Sequence, residues 1–208
     1  GYNAMGVNTT GAGNVAIGMN ALDANTTASN NVAVGYGAAS ANTTATDVVA
    51  VGTNALTANT TGAINTAVGN FSLDANTTGH SNSSLGGYSL TANTTGNYNV
   101  AIGRDAMGAN TTASNNVAIG GQNPLDANTT GDSNVAVGSG NCLGANTTGA
   151  NNIGMGNAAL SLNTTAANNI GIGTAALEAC TTGASNVAIG FQTLDTLTTG
   201  TENIGIGK

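Results

Sequence analysis

The sequence predicts an all-β solenoid: a β-roll of twelve coils, each 17 or 18 residues long, with parallel strands stacked in register. Three observations predict it. A glycine that follows an aliphatic residue recurs along the chain, two aliphatic positions flank one small position just before it, and an Asn-Thr-Thr triplet recurs in the same phase. We call this glycine the marker glycine. Residues 1–208 are interpreted as a single repeat array and as a segment of a longer fibre.

The spacing of the marker glycines defines the repeat. It is 17 residues, except for two steps of 18 that end at Gly138 and Gly156. Both longer units carry the extra residue between the marker glycine and Asn-Thr-Thr, and Pro124 lies there. Because the next unit stays in phase, we expect the insertion in a turn and not in a paired strand. The marker glycines are Gly18, Gly35, Gly52, Gly69, Gly86, Gly103, Gly120, Gly138, Gly156, Gly173, Gly190 and Gly207.

The residues just before the marker glycine predict a short strand. The positions one and three residues before it are large and mostly β-branched, so they share one strand face. The position between them is always Ala, Gly or Ser, which indicates that this face also packs closely, against another layer of the roll or a neighbouring chain. We expect the column directly before the marker glycine to form the core. Its members include Ile17, Val34, Val51, Val68, Ile102, Ile119, Ile172 and Ile189.

Polar columns predict turn ladders. Asn precedes the strand in eleven of the twelve units, Asn opens the triplet in ten, and both threonines are present in all twelve. Stacked amides can bond to one another along such a rod. We expect left-handed backbone at asparagines and at glycines that follow the triplet, such as Gly62. Representative ladder residues are Asn14, Asn31, Asn65 and Asn99 before the strand, and Asn25, Asn59, Asn93, Thr26, Thr60 and Thr94 in the triplet.

Two of these motifs resemble known fibres. The segment from Asn14 to Gly18, Asn-Val-Ala-Ile-Gly, resembles the head repeat of trimeric autotransporter adhesins. The longer pattern from Asn65 to Gly79 resembles repeats of phage tail fibres and large bacterial surface proteins. The resemblance covers the whole chain, although the unit is longer than the usual adhesin repeat. It implies a left-handed roll and a homotrimer of side-by-side chains, with the small column as the face between chains.

Composition argues against several functions. Two basic residues against nine acidic ones give a net charge of −7, which excludes the basic footprint of a nucleic-acid-binding protein. No apolar run is long enough for membrane insertion. The single His80 has no metal-ligand spacing around it, and the carboxylates are scattered, so we expect no enzyme, no metal and no cofactor. Cys142 and Cys180 lie about two coils apart, beyond disulfide reach, and are predicted to be free, packed thiols.

The sequence therefore favours a structural or adhesive fibre segment, located extracellularly, on a cell surface or on a virion. Its expected partners are copies of itself, as a homotrimer or an end-to-end filament, and a cell-surface or carbohydrate ligand. The alternative is an ice-binding or carbohydrate-binding solenoid that uses the Thr/Asn ladder face. The ten Asn-Thr-Thr triplets are also N-glycosylation sequons, and glycosylation of a minority of them stays open at this point.

Overall fold

The computed structural model describes all residues from Gly1 to Lys208, and it is an all-β parallel solenoid without a helix. Each unit contributes one strand of three residues, and turns form the rest of the coil. The strands are β1 Val15–Ile17, β2 Val32–Val34, β3 Val49–Val51, β4 Thr66–Val68, β5 Ser83–Leu85, β6 Val100–Ile102, β7 Val117–Ile119, β8 Val135–Val137, β9 Ile153–Met155, β10 Ile170–Ile172, β11 Val187–Ile189 and β12 Ile204–Ile206.

The twelve strands form one parallel sheet in sequence order. Register is kept at every step, so that Val15 pairs with Val32 and Ile17 with Val34. The two 18-residue steps also keep it, since Val117 pairs with Val135 across the first of them. With neighbouring strands about 4.8 Å apart, the sheet extends for about 53 Å. The predicted fold, a stack of repeats in register, is confirmed.

The inserted residues lie in turns, as predicted. Most 17-residue units have a hydrogen bond within this turn. The backbone amide of the third residue after the marker glycine donates to the carbonyl of that glycine, as Ala55 does to Gly52. Pro124 occupies the corresponding column in the first long unit, and its ring nitrogen has no hydrogen to donate. Pro124 is buried, and its carbonyl accepts the amide of Met107 in the preceding coil. The extra residue therefore changes a turn and leaves the strand ladder intact.

The core differs from the sequence-based expectation. Ile17, Val68, Ile102 and Ile189 are exposed, and Val34, Val51, Ile119 and Ile172 are only half-buried. The inward residue of each strand is instead the small one between the two aliphatic columns, such as Ala33 or Ala101, which are fully buried.

The narrow interior explains this inversion. One large side chain per coil fills it, almost always a leucine. This leucine lies four residues after the marker glycine, as Leu160 does, or five in the longer units, as Leu143 does. A Cβ added at Gly154 would lie 3.2 Å from Leu143 Cγ, and one at Gly171 would lie 3.2 Å from Leu160 Cγ. Only a small side chain fits opposite leucine, so the Val and Ile side chains of the strand face outward. The close packing predicted for the small column is therefore packing within one chain.

Left-handed backbone shapes the turns at positions that the sequence did not indicate. The core leucines themselves have positive φ, for example 55° at Leu56 and 51° at Leu90. This conformation is uncommon for a bulky residue, and complete burial of the side chain offsets its strain. The glycines after the triplet, such as Gly62, do not have positive φ. Alanine occupies the same column at Ala28 and Ala45, so that expectation was wrong.

Candidate functional site

An aliphatic stripe runs along the outside of the sheet for the length of the rod. We define it as the outward side chains at the first and third positions of the twelve strands. Ile102 is 37% exposed, and the terminal Ile17 reaches 59%. With two columns over about 53 Å, its area is on the order of 500 Å². Apolar patches of this size commonly mark interaction sites.

Charge is absent from the aliphatic stripe. All of the chain's acidic and basic residues lie in turn columns, for example Asp74 and Glu178 after the core leucine and Asp47 just before the next coil. The one ion pair, between Arg104 Nε and Asp105 Oδ2 at 3.3 Å, is also in a turn. The negative charge of the rod is therefore carried by its other sides.

The asparagines that open the triplet form an inward ladder. The Asn25 side-chain amide donates to Asn8 Oδ1 at 2.8 Å, and the same contact repeats at every step to Asn163. Each amide also donates to the carbonyl three residues later, as Asn59 does to Gly62 at 3.0 Å. The ladder ends where Cys180 replaces asparagine, which leaves Asn163 Oδ1 buried without a partner.

The asparagines before the strands, such as Asn31, Asn65 and Asn99, form a second ladder. Each side-chain oxygen accepts the backbone amide of the corresponding residue in the next coil, as Asn65 Oδ1 does from Asn82 at 2.9 Å. Their side-chain amides donate to turn carbonyls, as Asn14 does to Ala28 at 2.8 Å, except at Asn116, whose amide nitrogen is buried without a partner. Both ladders face inward, so the asparagines do not contribute to an outer ligand face.

The first threonine of each triplet forms a third ladder, at the surface. Its hydroxyl donates to the carbonyl of the equivalent threonine in the next coil at every step, as Thr60 does to Thr77 and Thr94 to Thr111. The second threonine is exposed in every unit, and its hydroxyl has no partner in the chain. One column of free hydroxyls therefore faces water.

Burial also determines which sequons are accessible. The side-chain amide nitrogen that would carry an N-linked glycan is fully buried from Asn25 to Asn163, and it is occupied by ladder hydrogen bonds. Asn8, in the first unit, is half-buried. The folded rod therefore does not present the other Asn-Thr-Thr acceptors to a glycosylating enzyme.

Aromatic side chains gather around the fifth coil. Phe71 and Tyr88 stack with ring centroids 5.4 Å apart and planes 12° apart, and His80 contacts Tyr98 edge-on at 5.0 Å. Phe71 is half-buried and Tyr88 is exposed. Nearby, burial raises the pKa of Asp74, whose Oδ1 has no hydrogen-bond partner.

Both cysteines are free and buried, as the sequence predicted. Cys142 replaces the small residue before the core leucine, and Cys180 replaces a ladder asparagine. The Cys180 Sγ lies 3.3 Å from the Gly183 carbonyl, where other coils place the asparagine amide. Burial raises the pKa of Cys142 to about 11, because the thiolate would lie in an apolar interior.

The raised pKa of Cys142 predicts that the free energy of unfolding decreases at alkaline pH. The unfolded thiol ionises near pH 9 and the folded one near 11, so between these values the unfolded state loses its proton first. Below pH 9 the thiol is protonated in both states and the free energy of unfolding does not depend on it. As the pH rises toward 11, the free energy of unfolding decreases by about 2 to 3 kcal/mol. Urea unfolding at pH 8 and pH 10.5 measures it, with Cys142→Ala as the control that lacks this contribution. Equal pH dependence of the two proteins would contradict the prediction.

Neither a cavity nor a cluster of three or more potential metal-ligating side chains is present. No helix of the length and hydropathy of a membrane span occurs. Comparison with protein-family models, curated proteins and solved structures gave no match. The fold and its surfaces define the class of the protein as a single-sheet parallel β-solenoid.

Proposed function

We propose that this chain is a structural and adhesive fibre segment in which three copies pack side by side, their aliphatic stripes facing a common axis. The observation that carries the proposal is the uncharged aliphatic stripe of the single chain. In this assembly the rod extends an appendage on a cell surface or a virion, and its turn columns remain free to contact a surface ligand.

Charge and periodicity favour other copies of this chain as the partners. Each chain carries a net charge of −7, so contacts between other faces would bring like charges together. The stripe has an axial period of about 4.8 Å, and another copy offers the same period along the whole length. Side chains on two such stripes can interdigitate coil by coil, which a surface of different period cannot do.

Sedimentation equilibrium of the intact chain tests this assembly. The expected mass is three times the 19.8 kDa of one chain. The double variant Ile102→Lys/Ile119→Lys places two charges in the stripe and is expected to sediment as a folded monomer, because a buried unpaired charge disrupts an interface. Circular dichroism verifies that this variant is folded.

The matched control is Thr95→Lys/Thr112→Lys, which adds the same charges to the same two coils on another side of the rod. Thr95 and Thr112 are exposed and make no ladder bond through their side chains. This control is expected to keep the trimer mass. A monomeric parent chain would refute the proposed assembly, and a trimeric stripe variant would show that the stripe is not the interface.

A second candidate function, binding of an ice surface, is favoured by the second threonine column. This exposed column is threonine in all twelve units, whereas other exposed columns vary freely, as at Tyr36, Thr53 and Asn70. The ladders do not require these hydroxyls, so their uniformity favours an external role. An ice-recrystallisation assay tests it: Thr78→Lys/Thr95→Lys is expected to lose inhibition that the parent shows. No inhibition by the parent would exclude this function.

A further inference from the structure

Two neighbouring polar residues interrupt the aliphatic stripe. Thr66 begins β4 and Ser83 begins β5, and the two residues pair directly in the sheet. Both are half-buried and face outward, and neither hydroxyl has a hydrogen-bond partner in the chain. The other ten residues of this column are valine or isoleucine. The only hydroxyl groups in this column therefore lie together, on two neighbouring strands.

That height is off-centre along the rod. Thr66 and Ser83 lie on the fourth and fifth of twelve strands. When two copies lie parallel without an axial shift, each polar pair meets the same pair of its neighbour. In an antiparallel arrangement, β4 and β5 would instead meet β9 and β8, whose first residues are Ile153 and Val135.

We propose that Thr66 and Ser83 fix the axial register and the parallel polarity of the side-by-side assembly. This inference rests on the proposed function and names the residues that specify the partner's alignment. Hydroxyls from different copies pair with one another in the aligned state. A shift by one coil leaves one hydroxyl of each copy against valine, and a larger shift leaves both against valine or isoleucine without a partner.

The aliphatic contacts alone discriminate poorly between registers. A shift by one coil keeps eleven of the twelve coils in contact, and the shifted side chains meet neighbours of nearly the same size. A hydroxyl buried without a hydrogen bond destabilises each shifted state, whereas the aligned state satisfies it. A single buried asparagine specifies alignment in coiled coils by the same physical effect.

Pulsed dipolar electron spin resonance on the intact chain tests the inference. A spin label at Thr44→Cys lies in the coil of β3, on an exposed threonine column away from the stripe. Parallel, aligned copies give one narrow distance between labels. In antiparallel copies the labels would lie in the coils of β3 and β10, an additional axial separation of about 34 Å. Unlabelled parent chain controls for Cys142 and Cys180, which are buried.

The discriminating variant is Thr66→Val/Ser83→Val in the labelled chain, since valine occupies this column in other coils and supports the same strand. We expect the mass to stay constant while the fraction of label pairs outside the main distance rises at least about fivefold, the effect of losing about one net hydrogen bond. Thr95→Val/Thr112→Val removes two hydroxyls outside the stripe and is expected to leave the distribution unchanged.

Each result has a distinct meaning. An unchanged distribution in Thr66→Val/Ser83→Val, or an antiparallel or broad distribution in the parent-sequence background, overturns the role of Thr66 and Ser83 while the assembly stands. A monomer in sedimentation overturns the proposed function instead. A narrow parent distribution that broadens only in the stripe variant supports the inference.

Discussion

Replacement of Gly103 by alanine is expected to destabilise the protein by about 3 to 5 kcal/mol, because two independent costs coincide. Gly103 has a φ of 128°, which side chains rarely allow. A Cβ at this position would also overlap the carbonyl oxygen of Gly120 in the next coil. That carbonyl belongs to the neighbouring backbone and cannot move without shifting the whole coil. Chemical denaturation followed by circular dichroism measures the loss.

Gly121 provides the matched control for this prediction. It lies one residue after a marker glycine, it has no positive φ, and a Cβ there would meet nothing within 4 Å. Gly121→Ala is therefore expected to change the free energy of unfolding by less than about 0.5 kcal/mol. If Gly103→Ala and Gly121→Ala proved equally stable, the marker glycine would not be required for close stacking of the coils.

Periodicity determined how much of the fold was predictable. Equal spacing shows which residues occupy equivalent places, so the coil length, the strand positions and the parallel register followed from the sequence. The insertion near Pro124 could be placed in a turn because the units after it stay in phase. These conclusions need no knowledge of which side of the strand faces inward.

The inward side was not predictable from the same pattern. Alternation in Val15, Ala16 and Ile17 shows that the outer two residues share a face, but not whether that face is core. The usual association of large apolar residues with the interior gave the wrong side. The deciding factor is the width of the coil, which admits one leucine and a small residue opposite it. That width is set by the left-handed turns at residues such as Leu56 and Leu90, which carry no recognisable turn signal.

The candidate surfaces were also only partly predictable, because periodicity shows which residues stack but not which way their side chains face. Stacking of asparagines and threonines followed from their columns, but their orientation did not. The triplet asparagines, such as Asn59, lie inside, while the second threonine of each triplet is exposed. One exception confirms that interior volume governs these columns. Ala39 replaces the core leucine and Val48 replaces the pre-strand asparagine in the same coil, and both are buried in one apolar cluster.

Removal of one inward asparagine side chain is also expected to lower the free energy of unfolding strongly. Asn93 is fully buried, and its amide donates to Asn76 Oδ1 at 2.9 Å and to the Gly96 carbonyl at 3.1 Å. Its own Oδ1 accepts from Asn110 at 2.9 Å. Asn93→Ala leaves Asn76 Oδ1 without a partner. The Gly96 carbonyl and the Asn110 amide each lose one of their two hydrogen bonds, since Asn82 still donates to Gly96 and Asn110 still donates to Ala113. Since the unpaired oxygen costs about 1 to 3 kcal/mol and each of the two further lost hydrogen bonds about 1 kcal/mol, we expect a loss of about 3 to 5 kcal/mol in the free energy of unfolding.

Asn163 separates the hydrogen bonds of the ladder from the volume of the side chain. It lies in the same column and is equally buried, but its Oδ1 has no donor because Cys180 follows it. Asn163→Ala therefore removes the same atoms but one fewer hydrogen bond, and it also removes a buried oxygen that had no partner. We expect its loss to be smaller than that of Asn93→Ala by about 1 to 2 kcal/mol, measured in the same denaturation experiment. Equal losses would mean that the cavity determines the cost, and that a continuous amide ladder adds nothing to the stability of the rod.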